Sequence, residues 1–308
     1  MQDRFAKYRK FKDIKALYER GGNIMQYLRG LDGQSQNDVQ DILLSYDLQS
    51  GVYIERFLKN REFKEQYGKK LAGVLDSLGA HHSILEAGTG EGIMLHLVAK
   101  YLQNQPEHWM GFDISWSRLK YAKHLLKTYN QEFISLFTAN LFAVPLADNA
   151  IDVVFTSHAI EPNGGKEKEA LQALYRVASK YLVLLEPDYA LADETGKKRM
   201  KDHGFIGSLA EAAQDLGYNI VTHEPFGLSS NPQNPTGLLI IKKEPVQTAP
   251  PPAWVCPITE ENLKSIEPGF LGSDNGGFVY PVLSGIPCLL AENAILATHY
   301  FNQPTPIN

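Results

Sequence analysis

Five short apolar runs punctuate the middle of the chain: HSILEA (82–87), HWMGFD (108–113), EFISLFTA (132–139), AIDVVFTS (150–157) and KYLVLLE (180–186). Each has the length of a buried strand. Between several of them the apolar positions fall three and four apart, as in Ile93, Leu97, Val98, Tyr101 and Leu102, or Leu171, Leu174, Tyr175 and Ala178. That is the spacing of one helical face. Strands alternating with helices predict a parallel, doubly wound sheet. Leu209–Gly217 reads as a further helix, followed by two strand patterns, NIVTHEP (219–225) and TGLLIIKKE (236–244). The FGLSSNPQNP loop between these two is too short for a crossover helix, so the final pair is expected to be antiparallel. The fold class is α/β, with a seven-stranded mixed sheet.

The flanks follow other rules. Residues 1–78 lack strand alternation and read as a helical N-terminal cap, with Leu17, Ile24, Tyr27 and Leu28 on one face interrupted by Gly21-Gly22. Such a cap either packs on the next domain or forms a lid over its site. Residues 79–244 hold the α/β pattern. Residues 245–253 (PVQTAPPPA) carry four prolines and predict a stiff, extended linker. Residues 254–308 form a small α+β module with strand-like GGFVYPVL and GIPCLLA.

Thirty basic and 35 acidic residues leave a net charge of −5 over 308 residues. That balance disfavours a general, charge-driven nucleic-acid binder, although residues 1–20 are locally basic. Cys256 and Cys288 are the only cysteines, too few for a disulfide scaffold or a four-thiolate zinc site. The nine histidines show no metal-ligand spacing, and no metal is expected. No apolar run approaches the roughly 18 residues of a membrane span. Met1 to Lys15 has no apolar core of the kind a secretory signal needs. A cytoplasmic location without membrane contact is the simplest expectation, and the oligomeric state is open.

The chemistry concentrates in ILEAGTGEGIMLHLV (84–98). A strand runs into Glu86, then Gly88, Gly90 and Gly92, then a helix. Glycines let backbone turn tightly and approach a ligand, and the helix start presents free N–H groups. Asp113 ends the next strand, where a carboxylate suits the two hydroxyls of a ribose. The spacing is G-x-G-x-G, not the dinucleotide G-x-G-x-x-G, and no G-K-[ST] follows. A merely tight strand–helix connection is the alternative.

Glu86-Ala-Gly88-Thr89-Gly90-Glu-Gly92, Gly111-Phe-Asp113-Ile-Ser, the stretch Ala143–His158 and Glu186-Pro187 together resemble the class I S-adenosylmethionine-dependent methyltransferases, and are most similar to the UbiE/type 11 subgroup. The resemblance covers about 80–244. It implies a Rossmann-like domain using S-adenosyl-L-methionine (SAM) and releasing S-adenosyl-L-homocysteine (SAH). Glu86 and the Gly88–Gly92 turn, Thr89 included, would hold the methionine part. Asp113 would hold the ribose and Ile114 the adenine face, with Asn140 and Leu141 at the adenine edge. Ser157 is counted with these cofactor residues. The family often has an acid at the place of Asn140, but an Asn carbonyl can also accept the adenine amine proton.

The same resemblance places His158 on the floor near the transferred methyl. An acceptor hydroxyl benefits from a base, and histidine is the side chain suited to that at neutral pH. His158 is the first candidate and Glu161 the second. A structural contact for His158, and helix capping for Glu161, are the plain alternatives. Asp188 and Tyr189, after strand five, are weaker candidates to face the acceptor. Tyr46 or Tyr53 would lie over the cofactor or pack as ordinary tyrosines.

Cys256-Pro-Ile-Thr-Glu-Glu-Asn-Leu263 and Phe278-Val-Tyr-Pro-Val-Leu-Ser-Gly-Ile-Pro287-Cys-Leu-Leu resemble the small activator subunit of tRNA and release-factor methyltransferases over about 254–295. Some of that family bind zinc through CPxC, but Thr259 replaces the second thiol here. The module is expected without zinc, its cysteines buried as small apolar groups. It would cover an apolar methyltransferase edge, within the chain or across a dimer, or help to bind the acceptor. The expected acceptor is a small molecule, first a hydroxyl of a sugar or other metabolite, because no N-P-P-Y follows strand four. A tRNA-modifying enzyme with a fused activator, and a non-catalytic cofactor-binding scaffold, are the alternatives.

Overall fold

The computed structural model describes residues 5–300 apart from 204–206, 230, 232, 245–249 and 274. Most of the proline-rich linker, with the first four residues of the cap and the last eight of the C-terminal module, therefore lies outside the described residues. The chain opens with six helices: α1 (Ala6–Arg9), α2 (Phe11–Glu19), α3 (Ile24–Asp32), α4 (Val39–Leu48), α5 (Val52–Lys59) and α6 (Arg61–Ser77). Helices α2, α3 and α4 gather a small cluster of their own around Ile14, Ile24, Leu28 and Leu44. An ion cluster ties α1 to α3 and α4. Lys7 Nζ meets Asp32 at 2.7 Å and both Asp38 and Asp41 at 2.6 Å. Asp38 and Asp41 also form a capping box that starts α4.

The α/β region runs β1 (Ser83–Ala87), α7 (Ile93–Tyr101), β2 (His108–Asp113), α8 (Trp116–Thr128), β3 (Ser135–Thr138), β4 (Ile151–Ser157), α9 (Glu167–Val177) and β5 (Ala178–Pro187). It continues with α10 (Glu194–His203), α11 (Leu209–Asp215), β6 (Asn219–Pro225) and β7 (Thr236–Lys242). The sheet order is β3-β2-β1-β4-β5-β7-β6. The first five strands are parallel, and β7 lies antiparallel between β5 and β6. This is the seven-stranded mixed sheet that the pattern predicts. The differences are local. β3 begins at Ser135, because Gln131 to Ile134 close a turn. α10 was not anticipated.

Alternation sorts the strand residues onto two faces. Leu85, Val154, Leu182 and Leu239 face a layer built from α9 and α11. Ile84, Val153, Val183 and Ile240 face α6, α7 and α8. Thus α6 packs in the layer beside the sheet, away from the α2–α4 cluster. Its closeness to α7 depends on Gly68, where an added Cβ would lie 2.4 Å from the Leu97 Cβ.

The C-terminal unit has β8 (Lys264–Glu267), β9 (Phe270–Gly272), β10 (Phe278–Leu283), β11 (Ile286–Pro287) and β12 (Ile295–Leu296) in a small antiparallel sheet. It docks along the outer edge of β3 within the same chain. Cys288 pairs with Thr138 in a parallel bridge, and Leu289 N–H donates to the Thr138 carbonyl at 3.1 Å. Val255 N–H donates to the Pro145 carbonyl at 3.0 Å. Lys123 Nζ and Trp116 Nε1, both on α8, donate to the Ser284 and Leu283 carbonyls. Tyr280, Leu289 and Cys256 are fully buried and join one face of the core, and Ile286 joins the other. An edge strand left bare would invite pairing with another chain; here the chain covers its own edge.

Gly68→Ala gains about 1 kcal/mol of helix propensity but meets a backbone-anchored side-chain carbon with no room to retreat, an overpacking that costs about 1–3 kcal/mol. Urea unfolding is expected to show net destabilisation. An unchanged or higher midpoint would mean that α6 and α7 do not meet this closely.

Candidate functional site

A cavity of about 720 Å³ opens at the carboxyl ends of β1, β2 and β4, where open parallel sheets place their ligands. Its floor is the turn after β1. Gly88, Gly90 and Gly92 have φ of +70°, +56° and +75°, backbone that favours glycine. The surroundings repeat the demand. A Cβ on Gly88 would stand 2.4 Å from the Ala159 Cβ, one on Gly90 2.4 Å from Arg118 Nη2, and one on Gly92 2.9 Å from the Ala122 Cβ. Gly88 and Thr89 line the cavity, whereas Gly92 packs on α8.

Each turn carboxylate has a separate task. Glu86 is buried and accepts from Thr89 Oγ1 at 2.5 Å; burial raises its carboxyl to about 8. Asp113 accepts Gly90 N–H on Oδ2 and Ser115 N–H on Oδ1, both at 2.9 Å. Its outer neighbour is Arg118, with Nη1 3.7 Å from Oδ2. Arg118 lies between two rings, 5.0 Å from the Tyr46 centroid and 4.6 Å from that of Tyr53. Both tyrosines line the cavity. Ile114, Asn140 and Leu141 line it as well, and Asn140 Oδ1 accepts Phe142 N–H at 3.0 Å.

Glu91, a lining residue that the sequence reading passed over, fastens the cap. Its Oε2 accepts Ile54 N–H at 2.7 Å, and its Oε1 accepts Gly51 N–H at 2.9 Å and Tyr53 N–H at 3.4 Å. A buried carboxylate on the open N–H groups of α5 is favourable in charge and hydrogen bonding. Two further contacts close the cap on the site: Ser115 Oγ donates to Asp47 Oδ1 at 2.6 Å, and Asn37 Nδ2 to the Pro162 carbonyl at 2.8 Å.

The opposite wall follows β4. Ser157, His158 and Glu161 line the cavity. His158 has φ +57°, uncommon for a residue with a side chain. The loop is held by Glu186, whose Oε1 accepts Ala159 and Ile160 N–H and whose Oε2 accepts Glu161 N–H, at 2.9 to 3.2 Å. Burial raises the Glu186 carboxyl. His158 Nδ1 meets Glu161 Oε2 at 2.9 Å, and Nε2 meets Thr236 Oγ1 at 3.1 Å. Glu161 Oε1 accepts from Asn234 Nδ2 at 3.0 Å. Glu161 therefore serves the histidine; α9 starts only at Glu167. Asp188 and Tyr189 stand outside the cavity, with Asp188 Oδ2 2.6 Å from His223 Nε2.

Cys256 and Cys288 are buried, and Cys256 Sγ lies 3.2 Å from the Tyr280 hydroxyl. Among the described residues no group of three or more His, Cys, Asp or Glu side chains could hold a metal ion. No helix among them is long and apolar enough to cross a membrane.

Residues 84–180 match the sequence model of a methyltransferase domain. The architecture is similar to magnesium protoporphyrin IX methyltransferase from Synechocystis PCC 6803, solved with bound SAH: the TM-score is 0.50 at 14% identity, over 65% of this chain and 99% of that one. A SAM-dependent methyltransferase from Aquifex aeolicus aligns at TM-score 0.43 and 18% identity, over 55% of this chain and 87% of that one. No curated protein matches the sequence. The fold is the Rossmann-like fold of methyltransferases.

A carboxyl that titrates higher in the folded chain than in the unfolded one binds an extra proton between the two values. For Glu86 that window runs from about 4.5 to about 8. Its protonation supports the fold below the window, and the support is lost as pH rises through it. Glu86→Gln carries no such proton. Its melting temperature relative to the parent is expected to climb between pH 5 and pH 8. Parallel profiles would show that Glu86 does not titrate there.

Proposed function

We propose that this protein is a SAM-dependent methyltransferase acting on a small-molecule acceptor, first a hydroxyl of a sugar or other metabolite. One observation carries the reading: the Gly88 turn, Asp113 and His158 face one cavity from the ends of β1, β2 and β4. The match of residues 84–180 to a methyltransferase domain supports it.

The residues present fit the cofactor. About 720 Å³ falls within the roughly 300–1,000 Å³ of small-molecule sites. Gly88 leaves bare backbone toward the methionine part, beside Glu86 and Thr89. Asp113 spends one lone pair of each oxygen on backbone N–H groups, and the others remain for a ribose diol. Ile114 and Leu141 supply apolar faces for the adenine, and the Asn140 carbonyl a second acceptor position at its edge. Ser157 completes the set on the methyl side.

When bound, SAM supplies an electrophilic methyl on its sulfonium, and SAH remains after the transfer. The chain's task is alignment, which supplies much of the rate in such displacements. Glu161 fixes His158 through Nδ1, so Nε2 is the nitrogen with a lone pair to offer. In this reading the acceptor hydroxyl takes the place of the Thr236 hydroxyl at Nε2 and gives its proton to that nitrogen, while its oxygen takes the methyl. A nitrogen base held by a carboxylate is a recurrent way of activating a hydroxyl.

The domain division proposed with this function is a cap over 1–78, a methyltransferase domain over 79–244, the linker 245–253 and a zinc-free, activator-like module over 254–308. The location proposed is cytoplasmic.

Asp113→Ala is expected to weaken SAH binding by tenfold or more, on the order of one lost charged hydrogen bond, measured by calorimetry. His158→Ala is expected to lower turnover by about a hundredfold or more with SAH affinity nearly unchanged. Turnover that survives His158→Ala would remove it as the base. The acceptor class is tested with methyl-labelled SAM and a fractionated cell extract. Label in the small-molecule pool supports the reading, and label in RNA would replace it with a tRNA-modifying one.

A further inference from the structure

The cavity is lined by charges of both signs, and its carboxylates are matched from within. Glu86 is held by Thr89, Glu91 by the N–H groups of α5, Asp113 by Gly90, Ser115 and Arg118, and Glu161 by His158 and Asn234. On the cap side, Arg56 on α5, Asn60 at the non-helical junction and Lys64 on α6 line the same cavity, a stripe held by Asn60 N–H donating to the Arg56 carbonyl at 3.0 Å and Lys64 N–H to the Asn60 carbonyl at 3.2 Å.

Neither cation of this stripe meets a carboxylate among the described residues. Arg56, exposed at the rim, has its guanidinium 5.6 Å from the Tyr53 centroid. Lys64, half-buried, has Nζ 6.0 Å from the Phe63 centroid and 5.8 Å from that of Tyr67. Burial lowers the Lys64 ammonium, with no acid opposing it. The contrast with Lys7, surrounded by three aspartates, is one of purpose. An ammonium taken out of water without a counter-charge is costly, and a ring face offsets only part of that. Both side chains line the cavity, and their charged groups, a fork and a point charge, are suited to an oxyanion.

The position fits an acceptor. Tyr67, beneath Lys64, is buried beside Ser157 and Thr236, and Thr236 touches His158. One phenol ring thus separates the stripe from the proposed base. Resting on the methyltransferase reading above, we propose that Arg56, Asn60 and Lys64 form an oxyanion subsite, and that the methyl acceptor is a small molecule carrying a carboxylate or phosphate group beside its nucleophilic atom.

The test uses the full chain saturated with SAH and titrated calorimetrically with two probes, pyrophosphate and citrate. Both the parent and the Arg56→Met/Lys64→Met variant are titrated, with SAH binding measured separately in each. The expected result is probe binding by the parent, about tenfold or more weaker in the variant, with SAH affinity within twofold. Tighter pyrophosphate marks a phosphorylated acceptor, and tighter citrate a carboxylated one. Failure of both probes to bind, or binding that the variant leaves unchanged, overturns the subsite. A variant that loses SAH also overturns it, because the cations would then serve the cofactor's own carboxylate. A parent that fails to bind SAH removes the methyltransferase reading itself, an outcome separate from any of these.

Discussion

The site depends on a turn of five residues that has no space for side chains where it crosses its neighbours. Gly88 passes under Ala159, Gly90 under Arg118 and Gly92 against Ala122. These neighbours belong to two segments, the loop after β4 and successive turns of α8. The absent Cβ atoms let both close on the end of β1, and that closure forms the cavity. The same turn sends Glu91 outward to the cap. One short stretch of backbone therefore sets the floor of the site, its distance from the His158 loop and the attachment of its roof.

Buried carboxylates do much of the remaining assembly. Glu91 collects N–H groups at the start of α5, and Glu186 those of residues 159–161. In each case charge replaces a regular ladder at a place where the chain must be irregular. Such groups are costly to leave unpaired and strong when satisfied, so each pins a loop that a few apolar contacts would leave mobile. The Glu186 contacts carry the consequence furthest, because they hold the loop that turns His158 toward Glu161 at a left-handed φ.

Most of the fold was legible because period-two and period-3.6 patterns report burial directly. Leu85 and Ile84, or Val154 and Val153, separate onto the two faces that their alternation predicts. α10 escaped because ETGKKRMKDH offers Met200 as its only large apolar residue, leaving no face for periodicity to show. β3 looked too long because Phe133 and Ile134 are apolar in a turn. The lining positions of Glu86, Gly88, Asp113 and His158 could be anticipated from a strand-turn-helix spacing. Glu91 and Arg118 could not, because their partners include backbone N–H groups and tyrosine faces brought in by the cap, and Lys64 could not, because its aromatic neighbours Phe63 and Tyr67 lie on its own helix and carry no sign of the cavity. A charge inside a glycine motif or on a polar helix reads in sequence as a solvated one.

The strip of chain beside β3 has a consequence for synthesis. On its inner side Thr138 pairs with Asp113 of β2, but on its outer side it pairs with Cys288 and Leu289, which leave the ribosome long after β3 itself. Until then the newly made sheet has an open flank, with Phe137 and Leu146 awaiting Trp254, Tyr280 and Leu289 as neighbours. Contacts of such wide sequence separation close late, and an unpaired strand edge is the hazard of that interval. The fold thus carries its own edge protector, but delivers it only after the strand that needs it.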